Sequence, residues 1–85
     1  MSIIVHQNDL PTGILQQAHS IAIDTETTGL RPHRDRLCLV QLSDGTGDVH
    51  LVQFAGTNHD YACPNLKKIL SNNTILKIFH FHFYL

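Results

Sequence analysis

The sequence predicts an α/β fold, a mixed sheet with helices on at least one face. Three observations predict it. Ile21-Ala22-Ile23 and Ile75-Leu76-Lys77-Ile78-Phe79 are apolar, β-rich runs of the length and kind found in buried strands. Leu37–Leu42 and Val49–Phe54 flank an Asp44-Gly45 turn, a hairpin signal. Leu66, Ile69 and Leu70 recur at i, i+3 and i+4, the stripe of a helix that packs by one face. With 85 residues, the chain is read as a single small domain, 1–85, without repeats or linkers.

Taken in order, Ile3-Ile4-Val5 is short and β-branched and reads as a first or edge strand. Asn8-Asp9 can cap the next segment, and Pro11 suits a first helical turn. Ile14, Leu15 and Ala18 then form the apolar side of a short helix, weakened by Gly13. The run Ile21–Ile23 is expected to be a strand buried on both faces. After the hairpin comes a polar loop from Ala55 to Ala62. Pro64 opens the striped helix, with Lys67 and Lys68 outward. Asn72-Asn73 closes it, since Asn tolerates the left-handed backbone common just past a helix end. The last strand, Ile75–Phe79, runs into His80-Phe81-His82-Phe83-Tyr84-Leu85.

The formal net charge of −1 supplies no global positive field. A nucleic-acid partner must therefore be held by a local basic patch or through metal ions. Cys38 and Cys63 are too few for a disulfide framework, and Cys38 reads as a small core residue. The N-terminus lacks a basic region followed by a long apolar stretch. No run approaches the roughly 18 apolar residues that span a bilayer. The expectation is a soluble, cytoplasmic protein with no membrane partner. Seven His and two Cys invite a zinc site, but their spacing matches no zinc pattern.

The chemistry gathers at Asp24-Thr25-Glu26-Thr27-Thr28-Gly29-Leu30, directly after the apolar run. In an extended chain side chains alternate, so Asp24 and Glu26 point to one face and Thr25 to the other. Two carboxylates side by side at a strand end repel each other and resist desolvation. A divalent cation removes both costs. Mg²⁺ takes hard oxygen ligands at about 2.0–2.1 Å and uses one or two carboxylates, leaving room for water and phosphate oxygens. Gly29 lets the backbone turn sharply against a ligand. The cluster Arg31-Pro-His-Arg34-Asp35-Arg36 reads either as a phosphate-contacting loop or as a solvated connection. Gln41 and Gln53 face either the cleft beside the carboxylates or, as expected, solvent.

The blocks Ile21-Ala-Ile-Asp-Thr-Glu-Thr-Thr-Gly-Leu30, Arg34-Asp-Arg-Leu37, Leu39-Val-Gln-Leu-Ser43, Pro64-Asn-Leu-Lys-Lys-Ile-Leu70 and Lys77-Ile-Phe-His-Phe81 occur in that order. Together they resemble the N-terminal part of the ribonuclease D-like 3′–5′ exonucleases. These belong to the DEDD superfamily, whose fold is ribonuclease H-like. The resemblance implies a mixed sheet with flanking helices and metal-dependent hydrolysis of RNA from its 3′ end. Two cations, Mg²⁺ or Mn²⁺, serve such a site. It implies that Asp24 bridges both metals and that Glu26 ligates one and orients the attacking water. It further implies that Thr27, Thr28, Gly29 and Leu30 lie against the terminal nucleotide, with Leu30 packed on the base. His80 matches the start of the second motif and joins the substrate-binding set.

The resemblance stops within that second motif. The family pattern continues to an aromatic residue followed by Asp, whereas Tyr84 is followed here by Leu85. The third motif does not occur. The resemblance therefore implies a truncated exonuclease domain, holding at most one cation weakly and inactive alone. The alternative expectation is a non-catalytic interaction module. Its aromatic C-terminal strand would pair with another copy or with a complementing chain, since an uncharged, Pro-free, Gly-free strand invites such pairing.

Overall fold

The computed structural model describes residues 2–27, 37–54 and 62–80, with the backbone alone at 27, 37 and 38. Its elements are β1 (Ser2–Gln7), β2 (Ser20–Thr27), β3 (Leu37–Ser43), β4 (Asp48–Gln53), α1 (Pro64–Ser71) and β5 (Leu76–His80). The five strands form one sheet in the order β1-β4-β3-β2-β5. The pairs β1–β4 and β2–β5 are parallel, and β3 runs antiparallel to both β2 and β4. The expected mixed sheet is thus present. Among the described residues one α-helix flanks it, on one face.

That helix decides which side chains are buried. Ile21 and Ile23 of β2, Val40 and Leu42 of β3 and Val52 of β4 all point toward α1. Leu66 and Ile69 answer from the helix, and Leu10, Phe54, Cys63 and Ile75 close the rim of the core. No helix covers the opposite face among the described residues. Ala22 is exposed between two fully buried isoleucines, so β2 is buried on one face and not on both as its composition suggested. The same correction applies to the last strand. β5 lies at the edge of the described sheet, and Leu76, Ile78 and Phe79 are exposed. An apolar run marks a strand, but which of its faces is covered depends on distant elements that the run itself does not contain.

The expected helix over Ile14–Ala18 does not form. Residues 12–17 make successive turns, joined by single bonds such as Ile14 N–H to Pro11 O at 3.3 Å and Ala18 N–H to Leu15 O at 3.3 Å. Gly13 has φ +88° and Leu15 φ +63°, and left-handed residues at both positions prevent a right-handed helix from propagating. The apolar residues still do their packing, because Leu10 is buried and Ile14, Leu15 and Ala18 rest against the core.

Asp9 caps a helix, but not the one next to it in sequence. Its Oδ1 accepts from the Leu66 N–H at 2.9 Å and from its neighbour Leu10 at 2.8 Å, and its Oδ2 accepts from the Asn65 N–H at 3.1 Å. Those amides open α1, where the N-cap position is held by Cys63, which supplies no side-chain cap of its own. A carboxylate there satisfies orphan donors and meets the positive end of the helix dipole. The Asn65 amide completes the join by donating to Leu10 O at 2.8 Å. At the other end Asn72 is extended (φ −81°, ψ 110°), not left-handed as expected. It ends the helix through its side chain, whose Oδ1 accepts from Thr74 N–H at 2.9 Å and Thr74 Oγ1 at 2.7 Å.

The hairpin turn is where the sequence placed it. Asp44 Oδ1 accepts from the Thr46 N–H at 3.0 Å and its hydroxyl at 2.6 Å. These bonds hold the Asp44 carboxyl below the usual carboxylate range. Gly45 and Gly47 take the positive φ values that close the turn.

One polar pair sits on the covered face. His50 is buried, and a ring N–H joins its Nδ1 to Nε2 of His6 at 2.9 Å, with the rings stacked at 5.2 Å. Burial, and then the neighbouring His50, push the His6 imidazole below its ordinary pKa.

Candidate active site

The open face of the sheet carries the two carboxylates. Because β2 alternates, burying Ile21 and Ile23 against α1 forces Ala22, Asp24 and Glu26 to the other side. Strand pairing then sets their company. Asp24 stands opposite Gln41 on antiparallel β3 and opposite His80 on parallel β5. The row continues outward through Leu51 of β4 to Val5 of β1. Glu26 begins the next row, opposite Leu39, with a register shift between Glu26 and Thr27 where the strand leaves regular pairing.

Around Asp24 the surface forms an open cleft of about 430 Å³, lined by Ala22, Asp24, Gln41, Ser43, Ile78 and His80. Asp24 is half-buried, with Oδ1 shielded from solvent, whereas Glu26 and His80 are exposed. The carboxylates lie at the C-terminal end of the parallel pair β2–β5. In open α/β sheets this is where loops diverge and ligands enter.

The structure thus brings together Asp24, Glu26 and His80, three of the residues singled out from the sequence. Thr27 ends β2, and only its backbone is described. Thr28, Gly29, Leu30 and the cluster Arg31–Arg36 lie outside the described residues, as do Phe81 to Leu85. Gln41 is exposed, as expected, and also lines the cleft, directly across from Asp24. Gln53 lies in the outer part of the Glu26 row, where its Oε1 accepts from Gln7 Nε2 at 3.1 Å. Ser43 went unnoticed in the sequence. Its signal is simple: two residues beyond Gln41 in the same strand, it must share that face.

The donor set suits a hard cation, since it consists of carboxylate oxygens. Among the described residues no group of three or more His, Cys, Asp or Glu side chains gathers closely enough to hold a metal ion. The Cys63 side chain is buried in the core, and burial pushes its thiol pKa up.

A family model for 3′–5′ exonucleases matches residues 3–83. No curated protein matches the chain. Solved structures do. NrnC of Brucella melitensis is 49% identical, with a TM-score of 0.81 over 94% of this chain and 38% of its own. The same protein with bound Mg²⁺ matches at 49% identity and a TM-score of 0.81, over 94% of this chain and 39% of that one. Its complex with pGG matches at 49% identity and a TM-score of 0.81, over 94% and 38%. The chain spans about two fifths of the length of these relatives. Its sheet, its one described helix and the paired carboxylates on the open face agree with a family match over nearly its whole length, and the chain belongs to the 3′–5′ exonuclease family.

Proposed function

We propose that this chain supplies the first acidic pair of a two-metal 3′–5′ exonuclease site of ribonuclease D type, acting on the 3′ end of RNA. One observation carries the reading: Asp24 and Glu26 share the open face at the C-terminal end of β2, with His80 in register beside Asp24. Mg²⁺ or Mn²⁺, when bound, activates the attacking water and stabilises charge on the leaving oxygen. Asp24 and Glu26 hold the cation by their carboxylate oxygens. Asp24 is half-buried with its Oδ1 shielded from solvent, and so would present a carboxylate partly desolvated and ready for a cation. His80 offers a ring N–H to the substrate, and Thr27, Thr28, Gly29 and Leu30 lie against the terminal nucleotide. NrnC of Brucella melitensis has been solved with bound Mg²⁺ and with pGG, which supports a divalent cation and a nucleotide as the ligands of such a site. We place the chain in the cytoplasm, since two Cys are too few for the disulfide framework typical of small secreted domains. Among the described residues no helix is long and apolar enough to cross a membrane.

Two carboxylates hold one hydrated cation weakly and do not position a second. The chain alone is therefore expected to bind Mn²⁺ weakly and to shorten RNA little or not at all. The test is incubation of 3′-labelled single-stranded RNA with Mg²⁺ or Mn²⁺, alongside Asp24→Ala. Robust shortening that vanishes in the variant overturns the claim of inactivity and keeps the nuclease reading. Absence of Mn²⁺ binding by the wild-type chain overturns the nuclease reading itself.

A second reading rests on β5. This strand is an edge of the described sheet, and Leu76, Ile78 and Phe79 are 64%, 55% and 47% exposed. Such an edge can accept another strand, from a second copy or from a chain that completes the site. Concentration-dependent association that Ile78→Lys abolishes supports it. A monomer at every concentration removes it.

A further inference from the structure

We propose that Gln41 binds substrate phosphate in this site. The inference rests on the nuclease reading and adds to it a residue outside the acidic pair and its neighbouring loop. A phosphodiester brought to Asp24 and Glu26 carries only acceptor oxygens on its phosphate, and both carboxylates repel it. Besides the cation, something must donate. Along the row Val5–Leu51–Gln41–Asp24–His80, the side chains with N–H groups are Gln41 and His80, one on each side of Asp24. Cβ atoms of directly opposed residues on antiparallel strands lie about 4.5–5.5 Å apart, so the Gln41 carboxamide reaches the space over the Asp24 carboxylate. Both residues line the same cleft, and Gln41 is exposed within it.

A comparison on the same face sharpens the point. Gln53 belongs to the adjacent row, and its carboxamide is bonded to Gln7 at 3.1 Å. Outward along its row Gln41 meets only Leu51 and Val5, which offer no polar side chain, and on its other side it faces Asp24. A neutral amide is also the donor type that suits this place. It contacts phosphate without forming an ion pair with Asp24, and so leaves the carboxylate charge to the cation. Because phosphate is the same in every nucleotide, the contact is blind to base identity.

The experiment measures binding of pGG and pAA to the full chain with Mn²⁺ by calorimetry, and Mn²⁺ binding alone by electron paramagnetic resonance. Gln41→Met keeps the shape and removes the donor, and Gln53→Met is the control on the same face. Gln41→Met is expected to weaken both dinucleotides about 10-fold, as loss of one hydrogen bond to a charged group implies. Mn²⁺ affinity and the circular dichroism spectrum remain unchanged, and Gln53→Met binds as wild type does. Unchanged dinucleotide affinity in Gln41→Met overturns the proposal, and so does a loss confined to one base. A parallel loss of Mn²⁺ affinity overturns it in favour of a ligand-positioning role. Failure of the wild-type chain to bind either dinucleotide overturns the nuclease reading, and the proposal with it.

Discussion

Asp24 and His80 are direct register partners on the parallel strands β2 and β5, two stretches of chain separated by more than fifty residues brought to one side of the sheet. The acidic side of the pair is testable apart from turnover. Asp24→Asn keeps the shape and removes the charge, and is expected to lower Mn²⁺ affinity at least about 10-fold, since hard cations depend on anionic oxygen ligands. His80→Ala is expected to leave Mn²⁺ affinity in place and to weaken pGG binding. Titration of Mn²⁺ followed by paramagnetic resonance, then of pGG by calorimetry, separates the two effects.

The Asp9 carboxylate holds the start of α1 from outside the helix through the amides of Asn65 and Leu66. Asp9→Ala is expected to cost about 1–3 kcal/mol, combining a lost cap with amides left unsatisfied. Asp9→Asn retains an acceptor oxygen and costs less. Urea unfolding of the two variants against wild type gives the order, and in a domain of this size about 1 kcal/mol moves the melting temperature by roughly 4–8 °C.

The His6–His50 pair makes stability fall on the acid side. The folded state holds His6 below its unfolded value of 6.5, so it disfavours the charged form. The stabilising contribution is therefore fully present above pH 6.5. It is lost as pH falls from there through the lowered folded value, because the unfolded chain binds the proton first. Thermal melts between about pH 7.5 and 5 are expected to show this decline, and His6→Phe is expected to flatten it.

The helix has two neighbouring apolar positions with different fates. Ile69 is fully buried, whereas Leu70 is 41% exposed. Ile69→Ala is expected to cost about 2–5 kcal/mol, enough to unfold much of a small domain, whereas Leu70→Ala costs clearly less because its site stays partly in water. Denaturant midpoints compare the two directly.

How local each signal is decided how much of the structure was legible in the sequence. The Asp44-Gly45 turn with its flanking strands, the stripe of Leu66 and Ile69, and the shared face of Asp24 and Glu26 are all encoded within a few residues, and the structure contains each of them. The failures are non-local. Asn8-Asp9 looked like a cap for the segment after it, but the carboxylate serves a helix at residue 64, and nothing near Asp9 reveals that. Gly13 weakened the expected helix, and the left-handed Leu15 could not be foreseen, since that conformation costs a branched residue energy that only tertiary packing restores. That Gln41 stands across from Asp24 follows only from cross-strand register, and β5 proved an edge of the described sheet only once strand order was known.

The two parallel pairings set the order in which the chain can become itself. β1 finds its partner β4 only after residue 48 exists, and β2 finds β5 only after residue 76. The Asp9 clasp likewise waits for Asn65. On a ribosome the β3–β4 hairpin is the earliest unit with a local partner, while both flanks of the sheet stay unclosed until nearly all the described strands have emerged. Long loops must close before their contacts repay the entropy, so folding is expected to be slow for a domain of this length. During that interval β1 has no strand partner, and even afterwards it stays an edge of the described sheet with Ile3, Ile4 and Val5 exposed, so a holdase chaperone would meet the same apolar strand in nascent and in folded chains.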